Sequence, residues 1–138
     1  MLAFLLVACV LLAVAAGWAR RSLIVVTVTG SSMQPLIAAG SRVLVRRTGR
    51  CRTGDVVMFR IHDSGPPMVK RVVATAGEPV PPQLRTAGGP DLVPAGRLLV
   101  LGTAPDSMDS RQLGFLTTGD VVGVVLRRAA LPVAPRTG

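Results

Sequence analysis

Aromatic residues are nearly missing from this chain of 138 residues, which has no tyrosine, one tryptophan and three phenylalanines. With no aromatics interleaved among its basic residues, it lacks the footprint by which nucleic-acid-binding domains are read. Lysine and histidine are just as scarce. Of the 16 basic residues only Lys70 is a lysine, and His62 is the single histidine, so the candidates for a catalytic base are few. Cysteine occurs twice, at Cys9 and Cys51, with no CxxC pair and no His/Cys cluster. That pattern argues against both a disulfide framework and a structural metal site, and no motif calls for a cofactor. Acidic residues number 7, which leaves a net charge of +9.

Glycine and proline, at 15 and 11, are what the chain has in quantity. Such a balance favours short strands and turns over long helices. The length allows one compact domain with a short extension. The arginines are scattered rather than striped along a helix. Beside an apolar segment, their simplest partner is the anionic headgroup layer of a membrane, not nucleic acid.

That segment is Met1 to Ala19, free of charged side chains, carrying Trp18 near its end and followed by Arg20-Arg21. Nineteen helical residues reach roughly 28 Å, barely enough for the hydrocarbon core, and Trp18 suits the headgroup boundary. A cleavable signal peptide with Ala13-Val14-Ala15 at its exit is the competing reading, but no basic stretch precedes the apolar run. A retained single-pass anchor over residues 1–19 is preferred. The positive-inside tendency would place Arg20-Arg21 and the domain after them in the cytoplasm; a basic tail upstream of Met1 would reverse that.

From Ser22 onward the pattern is β. The alternation and β-branched content predict strands over Leu23–Thr29, Arg42–Arg47, Asp55–Ile61, Met68–Thr75, Arg97–Gly102 and Asp120–Arg128. Residues 62–67 read as a loop, and 77–96 as a Pro/Gly-rich loop with one weak hairpin. A domain over 22–131 and a disordered tail over 132–138 complete the expected organisation.

Gly30-Ser31-Ser32-Met33-Gln34-Pro35 follows the first strand. A serine between a glycine turn and a Met-x-Pro exit suits a nucleophile at a strand end, although Gly-Ser-Ser is also ordinary turn chemistry. Lys70 is the informative partner. An exposed lysine with its stem along apolar surface is the bland alternative, yet the chain uses arginine wherever else it needs a cation, and only lysine can lose its proton when buried. An unperturbed lysine is neutral in about one molecule in 2,500 at pH 7, a deficit of roughly 4.6 kcal/mol. Desolvation can lower its pKa by about 3–5 units and remove most of that deficit. A neutral Lys70 amine could then accept the Ser32 proton, a known variant of the serine triad. His62 with Asp63 or Asp109 is a weaker reading, since His62 sits in a Pro/Gly loop. In Asp106-Ser107-Met108-Asp109-Ser110-Arg111, Asp109 and Arg111 are placed to pair, and Ser107 to hydrogen-bond the lysine if the loop folds over the site.

Taken in order, these segments resemble the boxes of the bacterial type I signal peptidases, membrane-anchored Ser/Lys serine proteases. Ser32-Met33-x-Pro35 resembles the nucleophile box, Gly54-Asp55-Val56-Val57-Met58-Phe59 the Gly-Asp box, and Val69-Lys70-Arg71-Val72-Val73 the box of the general base. Ser107-x-Asp109-Ser110-Arg111-x-x-Gly114 resembles the C-terminal box. The resemblance implies a mainly β, signal-peptidase/LexA-like fold of coiled antiparallel sheets behind one transmembrane helix. It implies Ser32 as nucleophile, Lys70 as base, Ser107 orienting Lys70, and Asp109 with Arg111 as a supporting ion pair. The oxyanion would be held by the Ser32 backbone N–H, the hydroxyl that some members carry two residues earlier being absent at Gly30. Exported preproteins would be the substrates, cleaved on the extracytoplasmic face of the cell membrane. A maturation peptidase for one precursor and a non-catalytic membrane-tethered β-domain are the alternatives. The chain departs from the pattern at Leu36, where threonine is usual, and at Gly102-Thr103-Ala104, where Gly-Asp-Asn is usual.

Overall fold

The computed structural model describes residues 1–30, 33–34, 37–62 and 64–131, with 127–131 described by their backbone. Ser31, Ser32, Pro35, Leu36, Asp63 and the tail expected over 132–138 lie outside the described residues.

An apolar helix, α1 (Leu2–Ser22), runs three residues beyond the segment expected from charge alone, taking in Arg20 and Arg21. It is long and apolar enough to cross a membrane, with mean hydropathy 2.6 and none of its apolar window buried against the rest of the protein. The arginines fall in its last turn, where cations oppose the negative end of the helix dipole. Strand β1 (Leu23–Thr27) begins at the next residue, with no linker.

The remaining strands are β2 (Arg42–Arg47), β3 (Val56–Phe59), β4 (Met68–Thr75), β5 (Arg97–Leu101), β6 (Leu116–Thr117) and β7 (Val121–Leu131). They form one seven-stranded sheet in the order β1-β2-β7-β3-β4-β5-β6, and every pairing is antiparallel. The last strand thus inserts between β2 and β3. A four-residue helix, α2 (Ser110–Leu113), sits between β5 and β6. The weak hairpin expected in the Pro/Gly-rich stretch is a single bridge between Pro79 and Leu92.

Strand β3 explains how the sheet stays folded with so few aromatics. All four of its residues are buried, and successive side chains leave on opposite faces. Val57 and Phe59 join Val72, Leu98, Val100, Leu116, Val121 and Val124 on one side. Val56 and Met58 join Val28, Met33, Val43, Val45 and Val125 on the other. A sheet covered on both faces needs an unbroken apolar run rather than alternation, and Val-Val-Met-Phe supplies it.

Where strand limits differ from expectation, side chains and turns take over the backbone groups. The ladder of β1 stops at Thr27: the Val28 N–H still donates to the carbonyl of Ser41 across from it, but the Ser41 N–H turns to Ala38 and the Val28 carbonyl takes the Gly40 N–H instead. Asp55 is not in β3; its carboxylate accepts the Arg52 N–H at 2.8 Å and closes the preceding turn. Gly54 takes a positive φ of 95° there, which is the local reason for glycine before the aspartate. Gly102 leaves β5 because its N–H goes to Asp109 instead.

Candidate active site

Lys70 is the third residue of β4, directly across from Val57 of β3. Its relative exposure is 4% and that of Val57 is 0%, so the sole lysine is also a buried one. Burial is the largest influence on its amine and lowers its pKa; Asp109 and Asp106 push it back up, Arg111 pushes it down, and the net direction is down. The cause is loss of hydration of the charged form.

Asp109 is wholly buried and fully engaged. One carboxylate oxygen accepts from the Arg111 backbone N–H and Nε, each at 3.0 Å. The other accepts from Arg111 Nη2 at 2.8 Å and from the Gly102 N–H at 2.9 Å. Burial alone would raise its pKa, but the bonds from Arg111 and Gly102 outweigh it and hold the carboxyl below its ordinary value. Asp109 also caps α2 in a reciprocal box, since Gln112 Oε1 accepts the Asp109 N–H at 3.1 Å. The Asp109–Arg111 ion pair is therefore built on a helix start. The D-x-x-Q spacing was a legible signal for that short helix. Arg111 Nη2 reaches the Ala104 carbonyl at 3.2 Å as well and braces the 104–109 loop.

Ser110 carries a function that the sequence did not disclose. Its buried hydroxyl accepts the Val100 N–H at 2.9 Å and fastens α2 to β5. Ser107 is equally buried, and its Oγ has no hydrogen-bond partner among the described residues. The bond expected from it to Lys70 is thus not formed in this state. An unpaired hydroxyl held at such a place costs about 1–3 kcal/mol.

A cavity of about 190 Å³ lies beside Lys70, lined by Val26 to Gly30, Met58 and Pro66 to Val69. These lining residues were not legible from the chain because they come from three stretches far apart in it. Gly30, two residues before Ser32, is on this wall, and a Cβ built there would meet nothing within 4 Å. Met33 is 1% exposed and packs in the core with Val28 and Met58, anchoring the turn at 33–34. The edge of β4 beside this cavity is open among the described residues, since β5 begins to pair only at Arg71. Met68, Val69 and Lys70 are joined to β3 alone.

The other candidates are placed differently among the described residues. His62 is exposed, with a φ of 61° in the β3–β4 loop, and Asp109 is committed to Arg111. Cys51 is a free thiol whose pKa is raised by burial and then by Asp55, which disfavours the thiolate.

One apolar helix leads straight into an antiparallel sheet, as the resemblance to the signal peptidases implied for the fold. The family model described as "Signal peptidase, peptidase S26" matches residues 1–83 and 80–129, and this chain belongs to that family. Among curated proteins, nothing matches it.

Proposed function

We propose that the chain is a membrane-bound serine endopeptidase that removes signal peptides from exported preproteins by a Ser32/Lys70 dyad. The observation that carries this reading is the burial of Lys70, the single lysine, beside a small cavity in a chain of the signal peptidase family. A buried amine with a lowered pKa is what a general base at neutral pH requires.

In this mechanism the precursor lies extended along the open edge of Met68–Lys70, adding a strand to it. A small side chain before the scissile bond enters the cavity lined by Val26, Val28, Met58 and Val69, whose volume of about 190 Å³ suits small residues. The Ser32 hydroxyl attacks the carbonyl while the neutral Lys70 amine takes its proton. The oxyanion is held by the Ser32 N–H. Collapse passes the proton from Lys70 to the departing amine and leaves the signal peptide as an ester on Ser32. Water, deprotonated by Lys70, then frees the serine. The buried Ser107 hydroxyl orients Lys70 when that side chain turns toward Ser32; such bonds are often unmade before substrate binds. Asp109 and Arg111 fix the loop that carries Ser107.

Helix α1 holds the domain at the membrane, with Arg20 and Arg21 against the lipid headgroups and the catalytic domain on the extracytoplasmic side. Cleavage of a panel of Ala-x-Ala precursors by the wild type, Ser32→Ala and Lys70→Ala tests the proposal, with folding followed by circular dichroism. Loss of cleavage in both folded variants is expected. A folded Lys70→Ala that cuts at the wild-type rate would remove the dyad, and a wild type that cuts no precursor would favour a non-catalytic tethered domain.

A further inference from the structure

The Thr103 hydroxyl donates to the Gln34 carbonyl at 2.6 Å, across 69 residues of chain. Gln34 lies two residues after Ser32, in the turn whose other anchor is the buried Met33 side chain. Thr103 follows Gly102, whose N–H is held by Asp109. Gly102 in turn follows Leu101, which pairs with Arg71, the neighbour of Lys70 on β4. A continuous run of bonds therefore leads from the strand of the lysine, through the Asp109 loop and Thr103, to the turn after Ser32.

We infer that Thr103 is a positioning residue, a clasp on the Met33–Gln34 turn that fixes the chain next to Ser32 relative to the Lys70 strand. The inference rests on the Ser32/Lys70 reading and adds a residue to it. Its chemistry accounts for one departure of this chain from the family pattern. An ionised aspartate, usual at this position, has no proton to give a carbonyl, whereas threonine has one. Both Thr103 and Gln34 are exposed, so the bond adds little to the fold. Its value lies in geometry, because a displacement of about 1 Å between reacting groups costs on the order of a hundredfold in rate.

The test compares full-length wild type, Thr103→Val, Thr103→Ser and Ser32→Ala in detergent micelles, on a synthetic Ala-x-Ala precursor peptide. Thr103→Val should lose about ten- to a hundredfold in kcat with little change in KM. Its melting temperature and the midpoint of its pH–rate profile should stay as in the wild type. Thr103→Ser, which keeps the donor, should restore kcat. Wild-type kcat in Thr103→Val would overturn the clasp, as would failure of serine to rescue, or a fall in melting temperature that accounts for the lost rate. Ser32→Ala separates the two claims. If it is inert while Thr103→Val is fully active, only the clasp falls; if it cleaves like the wild type, the dyad itself falls and the clasp with it.

Discussion

Lys70 faces Val57 across the β3–β4 pair, and the two are buried together. A lysine held this way is a liability to the fold when charged. Because its pKa is lowered in the folded protein, the unfolded chain binds the proton first as pH falls from the ordinary lysine value, about 10.4. Stability is therefore lost on the way down and does not recover. Lys70→Met should be more stable than the wild type near neutral pH by about 0.5–2 kcal/mol, while inactive. Denaturant melts across pH check this: the gain should shrink toward the ordinary lysine pKa. A less stable Lys70→Met would contradict it.

Asp109 has the opposite sign. Its carboxyl is held below its ordinary value, so its contribution is present above the unfolded pKa, about 3.9, and is lost as pH falls through the lower folded value. Asp109→Ala orphans the Gly102 and Arg111 backbone donors, at a cost of about 1–3 kcal/mol. In acid titrations its melting should depend less on pH than that of the wild type. Cleavage should fall in parallel, because the loop bearing Ser107 loses its brace.

The cavity beside Lys70 gives a specificity prediction. Val69 is half-buried and lines it. Val69→Ala should admit larger side chains before the scissile bond, shifting the kcat/KM ratio of valine to alanine precursors by roughly 10-fold or more, as one or two methylenes in an apolar pocket would. An unchanged ratio would place the small-residue pocket elsewhere.

Gly123 of β7 is paired with Arg47 of β2 and with Met58 of β3. A Cβ there would lie 2.3 Å from the Arg46 carbonyl oxygen and 2.7 Å from Val45 Cγ1. Backbone cannot yield as a side chain can, so Gly123→Ala should cost about 1–3 kcal/mol or more, measured by chemical denaturation.

Much of this architecture was legible because its signals are local. Strands β2 and β4 coincide with the segments expected from alternation, Arg42–Arg47 and Met68–Thr75. The order of the candidate site residues was legible too, through short motifs. The rest depends on partners that a linear reading cannot see. Strand β6 has two residues and exists only through its pairing with Arg97 and Leu98. Asp120 reads as strand from its apolar neighbours, yet it lies in a 3₁₀ turn that enters β7. The cavity wall needs Val26 to Gly30 brought against Pro66 to Lys70, and the Thr103–Gln34 bond joins two loops that no periodicity links. The expected nucleophile, Ser32, was legible only as a motif, Ser-Met-x-Pro, and lies outside the described residues.

The claim at the centre is that Lys70 acts as a neutral base. Its most direct test is the pH dependence of kcat/KM for precursor cleavage by the full-length wild type, from about pH 6 to about pH 10. Burial lowers the Lys70 pKa most strongly; Asp109 and Asp106 oppose that effect and Arg111 adds to it. The rate should therefore rise with a single deprotonation and level off below the ordinary lysine value, about pH 10.4. A rate that stays flat across this range would contradict a lysine base at position 70.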